Sequence, residues 1–555
     1  MSDVAASAPA VRDASDDIRL GVFDRALAGA SREDACRLLA HSLQDQNAQA
    51  WLHGARALLF RHEVDSARQL LRAGVARHPG DSALRFALAG VLSQGHQLAE
   101  AEALLRELLG EYPGDAAAGF LLAHLLRDQA RYQAMAEILL ALFGRPDGDT
   151  EQVIAAVELL DDAGRQADAA AICEAHLASG PGDPRLHAYA GMLQIQLGQF
   201  DRARASYLQA IAHDARAFDW SIAVGLGSLQ RYDDAGHPDV ALFGDALERT
   251  DLTGQARASL LFALAKAHDD TGDYAAAARC LDEANAIVRG ANPWSRKHWQ
   301  QSIQSRLAAR PWPARQLAAP QWTPVFIVGV PRSGTTLVAE LLGRHADVRN
   351  RGELPALPRL ERQLERAGRG DSVLLDKVAL AYQAELLQDD APARWYLDKE
   401  PLNLLRVDLI LSLFPNARVV ICQRHARDIG LSLWAQHFSH GANGYAYDLG
   451  DIAAVIKGCN QLAAHWQARY PDAVRTIAYE DVTVDASASI GRLADWLGLS
   501  KGNSHWAAAA PTSTISTGSL WQARQPVYQH SGGEIQGGSA SRAPPASATT
   551  RHHCR

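Results

Sequence analysis

A Pro–acid turn recurs at a nearly fixed interval through the first half of this chain: Pro79-Gly80-Asp81, Pro113-Gly114-Asp115, Pro146-Asp147 and Pro181-Gly182-Asp183. A feature that returns on a fixed period marks one small unit copied along the chain. Such units cannot each own a closed core, so they must stack on their neighbours. Side-chain size returns in register with the turns. Trp51, Leu58, Ala67, Leu71 and Pro79 read large, large, small, large, turn, and Leu88, Ala89, Leu92, Ala101, Leu105 and Pro113 follow suit. The pattern comes back at Gly191, Gly198, Phe200, Ala203 and Tyr207, and again at Ala265, Gly272, Tyr274, Ala277 and Leu281. Each unit reads as two antiparallel helices. Ala67, Ala101, Ala203 and Ala277 let the second helix approach the first, and large residues fill the space beside them. The region is rich in Ala, Leu, Arg and Gln and poor in β-branched runs, which suits helices.

The interval is close to the period of about 34 residues of a tetratricopeptide repeat. The region from Asp45 to Ala291 resembles a tetratricopeptide solenoid, with Arg216 to Gly254 as an irregular stretch that fits one degenerate unit. The resemblance implies either a concave surface that binds peptides or partner proteins, or a scaffold or homodimer contact. Residues 1–44 read as an N-terminal helical, partly flexible segment. Residues 292–320 read as a packed linker, because Pro293, Pro311, Pro313 and Pro320 stop the periodic pattern and Trp294, Trp299, Trp312 and Trp322 gather there as buried contacts.

A chain of 555 residues exceeds one ordinary core, so two or more domains are expected. The net charge of −8 argues against a nucleic-acid partner, and any basic site must be local. Met1 to Asp17 has no apolar core and does not read as a signal peptide. No apolar run approaches the roughly eighteen residues of a membrane span. The cysteines are scattered, with no CxxC pair and no zinc spacing, which reads as reduced thiols in a cytoplasmic protein.

The second half changes character. Pro324 to Val330 is a short apolar run, the mark of a buried parallel strand, and Leu337, Leu341 and Leu342 begin a helical pattern. Between them lies Pro331-Arg332-Ser333-Gly334-Thr335-Thr336. Strand, glycine loop and helix cradle an anion with backbone N–H groups and the positive helix end. The spacing from Gly329 to Gly334 is that of a Walker A loop, but Thr335 replaces its lysine, which argues against ATP chemistry and a nucleotide kinase. A cation, Arg332, sits inside the loop instead. A second strand, Ala417 to Gln423, ends at Arg424, and Arg427 to Phe438 reads as the helix carrying Ser432. An Arg at a strand end and a Ser on the next helix can share one phosphate. Two anion sites on one parallel sheet imply a ligand with phosphate at both ends.

Pro331 to Thr336 resembles the 5′-phosphosulfate loop of sulfotransferases, and Arg424 with Ser432 resembles their 3′-phosphate motif. The likeness is strongest to the tyrosylprotein sulfotransferase family. It runs through Gly329 to Leu337, His345, Asp347-Val348-Arg349, Gly352-Glu353, Asp398-Lys399-Glu400-Pro401, Leu413 to Ala417 and Tyr479-Glu480-Asp481. Bacterial chains that join tetratricopeptide repeats to such a domain are similar in plan. The resemblance implies an α/β, P-loop-like domain with a parallel central sheet over residues 321–530, after the all-α solenoid of residues 45–291. It also implies 3′-phosphoadenosine 5′-phosphosulfate as donor and no metal.

By the same resemblance Glu353 is the base that takes the acceptor proton, a modest task for a phenol whose pKa is about 10. Arg332 and Lys399 stabilise charge on the leaving oxygen and the sulfuryl group. Ser333, Gly334, Thr335 and Thr336 hold the 5′-phosphate. Ser519 corresponds loosely to a catalytic serine, with Ser516 and Thr517 as alternatives. His425, Arg427 and Asp428 read as a charge network at a helix start, Tyr479 to Asp481 as structural, and His437 and His440 as no metal pair. Related enzymes carry a basic, Trp-containing segment near the carboxy terminus. Here residues 531–555 are low-complexity and read as a disordered tail. The expected acceptor is a tyrosine in a protein or peptide, with a carbohydrate or small-molecule hydroxyl as the nearest alternative. The rival from another class is an inactive, peptide-binding adaptor.

Overall fold

The computed structural model describes Gly21, Phe23 and Asp24, and then residues 31–499 except 179, 181, 316–320, 369–370 and 439–440. The readings of residues 531–555 and of Ser516, Thr517 and Ser519 lie outside these residues. The chain forms two compact units that divide between Ala156 and Val157.

The first unit is helical. After the helix Arg32–Leu43 come antiparallel pairs: Ala48–Phe60 with Val64–Arg77, Ser82–Gln94 with Leu98–Glu111, and Ala116–Asp128 with Tyr132–Phe143. The pairs start at residues 48, 82 and 116, and two further helices of the same kind start at 150 and 184, a constant step of 34. The small positions are sealed: Ala67 and Ala101 are fully buried beside Trp51, Leu58, Leu71, Leu88 and Leu92. Two of the Pro–acid turns in this unit work as caps. Asp81 and Asp115 accept from the backbone N–H of Leu84 and Ala118 at 2.9 and 3.1 Å, covering donors that a helix start leaves bare.

The tighter turn inside each pair also keeps phase. His62, His96, Ala130, Gly164 and Gly198 all have positive φ, between 55° and 75°. A side chain costs energy in this region, and glycine does not. The exposed His62 and His96 occupy it at 59° and 57°. The variant His62→Gly/His96→Gly is expected to gain about 0.5–1 kcal/mol per site. Urea unfolding followed by circular dichroism should show the midpoint rise. A fall would show that these histidines adopt the turn without strain.

In the second unit the helices Pro184–Gln196 and Phe200–His213 form another pair, and Gly254–Asp270 with Tyr274–Ala291 forms the last. Tyr207 fixes one close approach, since a Cβ at Gly191 would lie 2.6 Å from its ring. Between the pairs, a 3₁₀ turn and the short helices Ile222–Gly227 and Pro238–Leu247 replace a regular unit. The buried Asp239 ties this stretch down: Arg204 grips it with two hydrogen bonds, 2.6 and 2.7 Å, and Tyr232 donates at 3.1 Å.

The helix Arg296–Ala308 lies within the stretch read as a linker. Pro293 and Pro311 flank it, and Ser295 caps its start. Arg296 binds Asp451 at 2.7 Å, the Trp299 indole donates to the Ala454 carbonyl at 3.2 Å, and Arg306 binds the buried Glu361 at 2.7 Å. Of the tryptophans, Trp294 and Trp299 pack together beside Tyr445, while Trp322 packs on Tyr396 and Phe414.

The α/β part is a five-stranded parallel sheet in the order β2-β3-β1-β4-β5, with β1 Thr323–Gly329, β2 Val348–Asn350, β3 Trp395–Asp398, β4 Arg418–Gln423 and β5 Val474–Ala478. Both faces are covered. Phe326, Val328, Val419 and Ile421 face the helices Ala356–Ala367, Ser372–Leu387 and Leu449–Arg469. Val325, Ile327, Val420 and Cys422 face the helices Thr335–Gly343 and Ala486–Leu497. Burial on both sides explains why these strands read as unbroken apolar runs.

Candidate functional site

The sheet order places the site. The chain leaves β1 toward β2 on one side and leaves β4 toward β5 on the other, although β1 and β4 are neighbours. Connections that part in opposite directions open a crevice at the carboxyl ends of the two strands. Register puts Gly329 beside Cys422 there, so the loop after β1 and Arg424 after β4 emerge side by side.

The loop turns sharply. Arg332 has φ 74° and Gly334 has φ 95°. Arg332 is a non-glycine residue in a left-handed turn, a conformation that costs energy and gathers at functional sites. Gly334 is pressed against Tyr479, where an added Cβ would lie 2.5 Å from a ring carbon. Gly334 is also the N-cap of the helix Thr335–Gly343 and has no side chain to cover its first turn. The helix start therefore keeps backbone donors for an anion.

Three predicted residues meet above this loop. The Arg332 Nε donates to Ser432 Oγ at 2.8 Å. The Arg424 Nη1 donates to the Arg332 carbonyl at 3.2 Å, and its guanidinium lies 4.3 Å over the Tyr479 ring. Burial, and then the nearby Arg424 charge, push the Arg332 guanidinium down to about 10. Two polar atoms here are buried without hydrogen-bond partners: Ser333 Oγ and Arg424 Nε. Orphaned buried donors are costly, so each points to a missing acceptor. Together with the guanidinium pair, they fit a bound phosphate group.

A second cluster forms where β3 ends. Lys399 follows the strand, is only 3% exposed, and makes an ion pair with Glu353. The Glu353 side chain is 42% exposed, so the carboxylate reaches solvent while the lysine does not. Backbone geometry aligns them, because the Lys399 N–H donates to the Gly352 carbonyl at 2.7 Å. The strand end is fixed by Asp398, which is fully buried and accepts from the Tyr382 hydroxyl and, at 2.8 Å, from Asn403.

Burial pushes the Asp398 carboxyl up to about 7, and burial and then Glu353 push Glu400 up to about 7. A carboxyl with a raised folded-state pKa contributes stability below its unfolded value, near 4, and loses it as pH rises through about 7. Unfolding free energy is therefore expected to fall between about pH 4 and 7, by on the order of 1 kcal/mol per pH unit from Asp398. The variant Asp398→Asn should flatten that slope in denaturant titrations, and an unchanged slope would refute the assignment.

The His425 backbone N–H donates to Glu480 at 2.9 Å, so Glu480 anchors this corner. The helix runs Ala426–Trp434, shorter than the expected Arg427 to Phe438. His437 leaves the helix and is buried, with its Nε2 3.1 Å from the Gln255 amide and its ring 5.3 Å from that of Phe262. Tyr479, read as structural, forms the floor beneath both Gly334 and Arg424. Asp398 and Glu400 were visible only as part of the Asp-Lys-Glu-Pro run, whose polar residues directly follow an apolar strand.

Residues 324–502 match the model of the sulfotransferase family, and residues 52–116 match that of a tetratricopeptide repeat. An uncharacterized protein of Aquifex aeolicus is 26% identical over 381 residues, 62% of this chain and 48% of that protein. Protein-tyrosine sulfotransferase 1 of Homo sapiens is 33% identical over 117 residues, 19% of this chain and 31% of that protein. The chain thus spans about half the length of the first relative and a third of the second. Among solved structures, the sulfotransferase domain of the Synechococcus PCC 7002 olefin synthase is 17% identical, with a TM-score of 0.30 over 43% of this chain and 94% of that one. The chain joins a tetratricopeptide-repeat region to a sulfotransferase-family domain.

Proposed function

We propose that this chain transfers a sulfuryl group from 3′-phosphoadenosine 5′-phosphosulfate to an acceptor hydroxyl, with a protein or peptide tyrosine as the preferred acceptor. The observation that carries the reading is the pair of orphaned donors, Ser333 Oγ and Arg424 Nε, buried beside Arg332 at the crevice between β1 and β4. A nucleotide with phosphate at both its 3′ and 5′ positions would supply acceptors to both. Ser333, Gly334, Thr335 and Thr336 hold the 5′ group at the helix start, and Arg424 with Ser432 holds the 3′-phosphate.

The residues divide the chemistry between them. Glu353 takes the proton from the acceptor hydroxyl as that oxygen forms its bond to sulfur. The bond between sulfur and the bridging oxygen breaks, and its electron pair stays on the 5′-phosphate. Arg332 and Lys399 stabilise the charge that collects on the leaving oxygen and the sulfuryl oxygens. A sulfuryl group carries less charge than a phosphoryl group, so two fixed cations suffice where a kinase needs a metal. The partial exposure of Glu353 suits a base that must meet a side chain presented by another protein. The repeats offer that protein a surface.

The direct test is calorimetric binding of adenosine 3′,5′-bisphosphate to the wild type and to Arg424→Ala, with ATP and 5′-AMP as controls. Tight binding of the bisphosphate, weakened at least about tenfold in the variant, is expected from the loss of a charge-assisted contact. Preferential ATP binding would sink the reading. Binding of none of the three would leave a repeat-based adaptor.

A further inference from the structure

We infer that Asn285, in the last helix of the repeat region, is a positioning residue for the donor site. The inference rests on the reading of Arg424 and Ser432 as the 3′-phosphate site. Ser432 sits in the final turn of the helix Ala426–Trp434. The last carbonyls of a helix have no partner within it and must find one elsewhere. The Trp434 carbonyl finds the Asn285 Nδ2, at 3.0 Å and across 149 residues of sequence. The same nitrogen donates to the Leu281 carbonyl at 2.8 Å. Both neighbours are acceptors, so the amide nitrogen rather than the oxygen must face them.

Asn285 is 3% exposed, and its Oδ1 is buried without a hydrogen-bond partner. An amide kept at that cost inside an apolar contact implies a task that leucine could not perform. The surroundings clamp the same segment. The buried His437 meets Gln255 and Phe262 of the preceding repeat helix. Tyr447 exchanges hydrogen bonds with the Phe438 backbone at 3.1 and 3.2 Å, and it packs with Phe262, Ala284 and Val288. The end of the Ser432 helix is thus held from the repeat side. Ser432 in turn accepts from the Arg332 Nε at 2.8 Å. The last repeat pair thus braces the end of the helix that carries Ser432.

The test compares wild type with Asn285→Leu, which keeps volume but cannot donate. Two readouts separate positioning from general damage. Affinity for adenosine 3′,5′-bisphosphate is expected to fall about tenfold, while affinity for 5′-AMP stays within about twofold. Equal weakening of both ligands, or of neither, would overturn the inference. In the ligand-free protein, amide exchange should quicken in residues 430–438 and stay unchanged in the helix Leu449–Arg469. Unchanged exchange in residues 430–438 would overturn the inference even if the wild type bound no bisphosphate, an outcome that would count against the donor reading alone.

Discussion

Replacing Glu353 by glutamine is expected to slow sulfuryl transfer to a tyrosine peptide by about 10²–10⁴-fold, with bisphosphate affinity left within about twofold. Glutamine keeps the size of the side chain but cannot accept the acceptor proton. The effect should fall on the chemical step, because Glu353 lies after β2 and the anion loop lies after β1. The Lys399→Met variant should lose about 10²–10³ by a different route, the missing cation at the leaving oxygen. Combining the two should cost less than the product of the single losses, because each variant already breaks the Glu353–Lys399 ion pair. Initial rates with radiolabelled donor would measure all three proteins. A Glu353→Gln enzyme that kept more than about a tenth of the wild-type rate would remove this carboxylate from the role of base.

The Gly334→Ala variant is expected to reduce bisphosphate affinity by at least about 100-fold, which is about 2.7 kcal/mol. Two independent effects add. The residue sits at φ 95°, where a side chain is strained, and the new Cβ would lie 2.5 Å from the Tyr479 ring. The ring cannot simply retreat, because Arg424 lies over it at 4.3 Å. Relief must therefore come from the loop, which moves the backbone donors of the helix start away from the phosphate. The fold should persist, since β1 and the helix Thr335–Gly343 are packed by residues outside the turn. Calorimetry together with a melting curve would check this. Retained affinity with an unchanged melt would mean that the loop does not bind the phosphate.

What was legible in the sequence was whatever repeats or stays local. The helix pairs could be read because close packing demands Ala67, Ala101 and Ala203 at one phase of a fixed period. The loop could be read because an anion cradle needs its strand, its glycine and its helix in immediate succession. Glu353 and Lys399 were singled out by likeness to a family, and Arg424 with Ser432 by a strand end followed directly by a helix; the fold places Lys399 against Glu353 and Ser432 against Arg332. Long-range contacts were opaque. Nothing near Tyr479 says that it lies beneath Gly334, and nothing near Asn285 says that it caps Trp434, because each partner is a backbone or ring atom far along the chain. The helix Arg296–Ala308 was hidden by its flanking prolines, although Ser295 ahead of a proline-free stretch was its one local signal.

The constant step of 34 between helix starts gives the chain a counting rule. Deleting or duplicating any block of that length in the first unit returns every later residue to the same phase, and only the two neighbours of the seam must adjust. The number of repeats in the first unit can therefore change in whole steps without shifting the phase of those that follow. The pair that carries Gln255 and Asn285 is exempt, because it touches the helix of Ser432. A block removed there would take the hydrogen bond between Asn285 and Trp434 with it.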